Sequence, residues 1–420
     1  MPVFSRCHRL AVFIVLFVTS SVGGAKDWRQ WRGPNRDGIT NDFIVPQAWP
    51  KTLKEQWKVV VGEGHSSPVS ADGKIYIHAR QAEDEVVLCL DPVSGKEVWK
   101  SKDPVAYEMN TAAYAHGKGP KSTPVVGGGK LYTFGISGIL SCFDAETGKV
   151  RWRKEFSKQY PSTSPSCGTA MSPVLDGGLL IAHVGGYDKG ALTAFDAETG
   201  TVKWAYDKDG PAYSSPIVVT LEGRRQLVTY TQRDLIGVSL ATGELLWKIS
   251  AKHVVDTNSV TPVAHKDRII YSGYEQGIIA IRPVKEGPKF AAKEVWRNPG
   301  NECYMNTPVL HGDELYGLSY RNKGQFFCVD AATGRTVWQS PGRMGENAAI
   351  VNAGGVLLLL TNDANLIVLD PNVKEYKPVA QYQVANSPTW AHPLILRDRI
   401  LIKDHSTLTS FAITDCKLGA

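Results

Sequence analysis

The sequence contains no C-x-x-C-H, no H-E-x-x-H and no G-x-S-x-G, which excludes covalent haem attachment, zincin-type proteolysis and a hydrolase nucleophile elbow. Its one run of three glycines, Gly127 to Gly129, stands between Val126 and Lys130 as a hairpin turn does, so it is not a phosphate cradle. No charge block occurs, and no Gly/Ser/Pro-rich linker divides the 420 residues. The net charge is +6, or +4 without Arg6 and Arg9, too mild and too evenly spread for a nucleic-acid partner. The apolar run Leu10 to Val18 is too short to cross a membrane as a helix.

That run has Arg6 and Arg9 before it and Gly23, Gly24 and Ala25 after it, the three-part pattern of a secretory signal over residues 1–25. Cys7 lies before the run, whereas a lipid-bearing cysteine stands just after one. A periplasmic or secreted monomer without a lipid anchor or transmembrane segment is therefore expected, with residues 26–420 as its single folded domain.

What the chain does have is repetition. FDAETGKVRW, Phe143 to Trp152, returns from Leu90, Phe195, Val238 and Val329, each copy ending in Trp. The intervals of 43 to 91 residues define a repeat architecture. Each copy reads as a hairpin: an apolar strand, an Asp able to accept from the turn's own amides, a Gly suited to φ > 0, then a second strand ending in Trp. The Trp is expected to cap the packing between neighbouring units.

A second motif opens each unit, as in SSPVSADGKIYI from Ser66 and STPVVGGGKLYTFG from Ser122. Its Pro column (Pro68, Pro124, Pro173, Pro216, Pro262, Pro308, Pro393) marks the start of a strand, where a missing donor is tolerated, and only Ala349 departs from it. Eight openers occur, and seven lead to a second hairpin with a terminal aromatic: Trp99, Trp152, Trp204, Trp247, Trp296, Trp338 and Tyr382. The eighth lacks room for a fourth strand, which Glu55 to Val61, with Trp57, can supply from the other end of the chain. The fold expected is all-β: an eight-bladed β-propeller, four antiparallel strands per blade, closed by an N-terminal outer strand. WRQWRGPNRDG, Trp28 to Gly38, is expected to lie across its outside.

Two residues before the Asp column stand Cys89, Cys142, Ala194, Gly237, Ala280, Cys328, Val368 and Ser410, the small or medium residues that close-packed sheets require. The three cysteines among them are expected as buried thiols, and the spacings of Cys167, Cys303 and Cys416 select no disulfide.

The D-A-x-T-G-x-x-x-W words and S-P-V openers resemble the pyrroloquinoline quinone (PQQ) repeat family of eight-bladed propellers, over Trp28 to Cys416. That family includes quinoprotein alcohol dehydrogenases, a propeller subunit of the outer-membrane barrel-assembly machinery, and exported proteins that share a W-R-G-P-N-R-D-G segment like Trp31 to Gly38. The resemblance implies the fold. It implies PQQ with calcium only if this chain is a dehydrogenase, and the adjacent cysteine pair of those enzymes is absent.

Loop excess points to the functional face. The spacing from outer aromatic to next opener is 25 residues after Trp99 and 21 after Trp152, against 11 to 15 elsewhere. These insertions belong on the face where the central channel opens, and they carry His116, Lys121, Cys167 and Met171. The residues before the other openers, His65, Tyr213, Asn258, Tyr304, Glu346, Trp390 and His392, are expected to ring the same mouth. A bland role in capping strands and holding channel water fits the same residues. His65, His116, Cys167, Met171, Cys303, Met305 and His392 also offer a soft donor set for copper. Isolated acids such as Glu302, Glu346 and Asp363 are the available general base and calcium ligands. Two functions stay open: a non-catalytic exported scaffold that binds a protein or small molecule at the mouth with no cofactor, and a PQQ- and calcium-dependent dehydrogenase of alcohols or sugars.

Overall fold

The repeated turn closes as its residues dictate. In the computed structural model, which describes residues 27–251, 258–287 and 289–413, Asp144 Oδ1 accepts from the amides of Glu146 and Thr147 and from Thr147 Oγ1. Gly148, at φ +71°, donates its N–H to the Asp144 carbonyl at 2.8 Å. Asp91, Asp196 and Asp330 repeat the arrangement. The turn reverses the chain between the third and fourth strands of one sheet.

Eight four-stranded antiparallel sheets result, each meandering outward from the axis, and they form an eight-bladed propeller. In the first blade the strands are Val69–Ala71, Lys74–Gln81, Asp84–Leu90 and Glu97–Pro104. The last blade holds Leu394–Ile395, Arg399–Lys403 and Thr407–Ala412, and Lys54–Val60 completes it with Trp57 opposite Ser410. Each Pro of the column lies one residue before its innermost strand. Residues 1–26, where a leader was expected, and Cys416 lie outside the described residues. The five described cysteines are free thiols, and Cys89, Cys142 and Cys328 are buried.

The Trp column does join blades. Trp99 Nε1 donates to the Ala145 carbonyl of the next blade at 3.1 Å. Its ring covers Gly148 so closely that a Cβ there would sit 2.4 Å from Trp99 Cε3. Trp57, Trp152, Trp204 and Trp296 do the same to Pro92, Ala197, Leu240 and Ala331, the residues that follow the turn's first position. Tyr76 and Tyr132 reinforce two of these joints by donating to the carbonyls of Ala145 and Ala197.

Two joints differ. Gly237 has no side chain to hold Trp247 off its own sheet, so that indole folds inward and donates to Gln226 Oε1 at 2.8 Å. The neighbouring hairpin, Gly277–Glu286 and Lys289–Asn298, is ten residues on each arm, and its Phe290 and Ala292 pack against this apolar cluster instead. Tyr382 is not the seventh member of the Trp column: Ala380 stands opposite Val368 at that position, and the Tyr382 hydroxyl donates to Pro50 O. The register, rather than the nearest aromatic, decides the column.

Candidate functional site

The Trp28–Gly38 segment does not lie outside the ring; it fills the axis and touches every blade. Trp28 exchanges hydrogen bonds with Ser70, the Arg29 carbonyl accepts from Val126 N, and Gly38 O accepts from Asn352 N. Arg32 and Arg36 adopt left-handed backbone angles, φ +56° and +61°, and both are buried. Arg36 donates to the carbonyls of Ser172, Pro173 and Pro216, and Arg32 to those of Thr307 and Pro308. Trp31 donates to Thr261 Oγ1 and meets the His392 ring edge-on at 4.5 Å. The carbonyls left unpaired by the Pro-led openers are what two planar, multi-donor guanidiniums can satisfy. Burial lowers both, Arg32 to about 10 and Arg36 to about 9, so both stay charged at neutral pH.

Hydroxyls stand one residue before six of the seven Pro of the column and link neighbouring blades on the inner side of the ring. Ser67 N donates to Thr123 Oγ1, Thr123 N to Ser172 Oγ, and Ser172 N to Ser215 Oγ. Thr261 N donates to Thr307 Oγ1, and His392 N donates to Ser67 Oγ across the junction of the last and first blades. His392 is therefore an interior residue beneath Trp31, not part of the mouth.

Two residues further upstream the chain faces the open end. His65, Trp390 and His116, the last from the 3₁₀ turn Thr111–His116, pack together: ring centroids are 5.5 Å apart for the histidine pair, 5.6 Å for His65 and Trp390, and 4.9 Å for His116 and Trp390. Lys121 lies beside them and donates to the Cys167 carbonyl. Cys167 N in turn donates to Tyr213 Oη at 3.1 Å, which also accepts from Tyr187 Oη at 2.9 Å. Burial pushes His65 well below its ordinary value, helped by His116 and Lys121. It lowers His116 too, with Lys121 adding to it and Glu346, the nearby acid, opposing. Burial also lowers Lys121.

The remaining expected residues part company. Asn258 is a structural clamp on the Thr231 and Gln232 carbonyls. Met171 is core between the second and third blades, and Cys303 is buried, its amide held by Ser272 Oγ. Met305 is exposed. The soft-metal set is thus divided, and among the described residues no group of three His, Cys, Asp or Glu converges as a metal site. Tyr304 belongs to a second aromatic group with Tyr274 and Tyr320, centroids 5.0 to 5.9 Å apart. Tyr187, Tyr274, Tyr320, Lys403 and His405 were not foreseen. They sit in or beside turns between second and third strands, which face the mouth; aligning those turns would have shown it.

The family model described as outer membrane protein assembly factor BamB matches residues 83–340. The chain belongs to that family. It is 24% identical to the outer membrane protein assembly factor BamB of Shewanella oneidensis over 292 residues, 67% of this chain and 71% of that one. The crystal structure of BamB from Moraxella catarrhalis superposes with a TM-score of 0.61 at 13% identity, covering 86% of this chain and all of that one. Methanol dehydrogenase subunit 1 of Methylorubrum extorquens is 25% identical over 199 residues, 43% of this chain but 30% of the enzyme.

Among the described residues the isolated acids do not converge as a calcium site. Glu302 Oε1 is engaged by Arg321 Nε at 2.6 Å, Asp363 is held by Thr361 Oγ1, and Glu346 faces His116. Below them Trp31, Arg32 and Arg36 occupy the axis of the channel.

Proposed function

We propose that this chain is an exported, non-catalytic member of the BamB family that docks a protein on its mouth face during the assembly of outer-membrane proteins. The observation that carries the reading is asymmetry between the ends of the channel. The floor is sealed by Trp31, Arg32 and Arg36. The mouth presents two aromatic groups, His65/His116/Trp390 and Tyr274/Tyr304/Tyr320, beside the exposed Met305. Aromatic side chains and methionine are what protein interfaces favour, and both groups stand on loops fixed by a rigid ring. The periplasm as its location is part of this proposal.

The test is photo-crosslinking in cells that export the protein, with benzoylphenylalanine at Met305 or Tyr274 and, on the opposite face, at Glu222. Adducts from the first two positions only, with an outer-membrane protein or an assembly component, support the reading. Adducts from Glu222 alone, or equal adducts from both faces, overturn it.

A further inference from the structure

We propose that the recess between Lys121, His65, His116 and Trp390 binds a carboxylate group. This rests on the mouth being a docking face and names what it docks. The recess is rich in donors and poor in acceptors. The Lys121 ammonium has one neutral partner, the Cys167 carbonyl, and no carboxylate among the described residues. Tyr213 Oη accepts from Cys167 N and Tyr187 Oη and also bonds the Cys167 side chain, which fixes the residue that Lys121 holds. The two imidazoles and the Trp390 indole engage one another through their ring faces and edges. No hydrogen bond from their ring nitrogens to a described residue occupies them.

A second buried ammonium flanks the recess. Lys403 is held by the carbonyls of Gly64, Asp404 and His405 at 2.6 to 3.2 Å, and it reaches His65 electrostatically. The other charged groups facing the recess are Glu346 toward His116, Asp404 and Glu63 toward Lys403, and His405, which lies 3.6 Å from Glu63. Lys121 therefore faces both imidazoles and Lys403 faces His65, adding to the burial that already disfavours a proton on either ring. An anion entering here offsets the field of the two cations, so its arrival raises the imidazole affinity for a proton. A charge-assisted bond to Lys121, with indole and imidazole N–H groups around it, matches a carboxylate in a partly dry pocket.

Two sources share this chemistry, a free small acid and the C-terminus of a chain, and the experiment separates them. Calorimetry on the exported protein uses succinate and a Gly-Ser decapeptide ending in leucine, with its C-terminus free or amidated. Binding of succinate alone assigns the site to small acids; binding of the free-acid peptide, about tenfold better than its amide, assigns it to chain ends. In either case Lys121→Met weakens binding about tenfold and Lys121→Arg retains it. Affinity rises severalfold from pH 7 to pH 5.5, a window below the value of about 8 to which burial lowers Lys403, and His116→Gln, at the rim of the recess, flattens that rise.

Equal binding of free and amidated peptide with no succinate binding overturns the proposal. So does undiminished binding by a folded Lys121→Met, or a pH profile that His116→Gln leaves unchanged. If binding fails while the Met305 crosslinks persist, only the carboxylate assignment falls; loss of both removes the docking face as well.

Discussion

Arg36 donates Nε to the carbonyl oxygen of Pro216 at 2.6 Å, joining residues 180 positions apart. The same guanidinium reaches Ser172 and Pro173, so one side chain ties the third and fourth blades to the axis. Arg36→Met leaves buried carbonyls without donors, and each charge-assisted bond is worth about 1.5–3 kcal/mol. The expected loss is roughly 2–4 kcal/mol in urea unfolding. Arg36→Lys restores little, because an ammonium cannot present the planar fork. Deleting residues 26–42 removes Arg32 as well and lowers the melting temperature further. A melt unchanged by either alteration would show that the segment does not clamp the ring.

Gly148 has a second reason to be glycine besides its φ of +71°: its Cα faces the Trp99 ring. Gly148→Ala therefore meets strain and a backbone-anchored clash together, and it is expected to destabilise by about 2–3 kcal/mol. Trp99→Ala empties the joint and should cost about 3–5 kcal/mol. If the contact is as close as it is here, the double variant costs less than the sum, since without the indole the new methyl has nothing to strike. Strict additivity in a double-mutant cycle would contradict the joint.

Gly237 offers a test free of backbone strain. A Cβ there would lie 2.3 Å from Trp247 Nε1, within the indole that bonds Gln226. Gly237→Ala is expected to push Trp247 off Gln226, at about 1–3 kcal/mol and with a shift in near-ultraviolet circular dichroism. The same substitution at Gly73, whose added Cβ meets nothing, should leave that signal untouched.

The ring was legible because its residues repeat: Asp and Gly of the turn, Pro of the opener, and Trp57 supplying the missing strand all carry local physical meaning. The joints where a column breaks were not. Trp247 looks like its counterparts, and only the absent side chain at Gly237 turns it inward. Tyr382 sat near the expected place, but the turn after Asp370 is two residues longer than its counterpart after Asp91, so Ala380 takes the position opposite Val368 that Trp99 takes opposite Cys89. The plug was misplaced for a related reason. Arg32 and Arg36 read as surface residues in sequence, since burial of a guanidinium depends on carbonyls supplied by blades hundreds of residues away. The structure brings His65, Lys121 and Trp390 together, whereas Met171 and Cys303 lie in loops whose side chains turn into the core.

Acid should weaken the propeller through its buried imidazoles. His183 lies fully inside the third blade with Nε2 at 3.0 Å from the Asp209 carbonyl, and burial pushes it down to about 4 from 6.5. Burial drives His392 and His65 the same way. Because the folded value is the lower one, the unfolded chain binds more protons between pH 6.5 and 4. The stability His183 allows is intact above pH 6.5 and is lost as pH falls through about 4. Full charging costs roughly 3 kcal/mol. Urea midpoints should therefore be level from pH 8 to 7 and fall below that, and His183→Gln, which keeps a donor toward Asp209 but cannot charge, should be less stable at pH 7 yet fall less steeply. Parallel profiles for the two proteins would mean that His183 is not buried neutral.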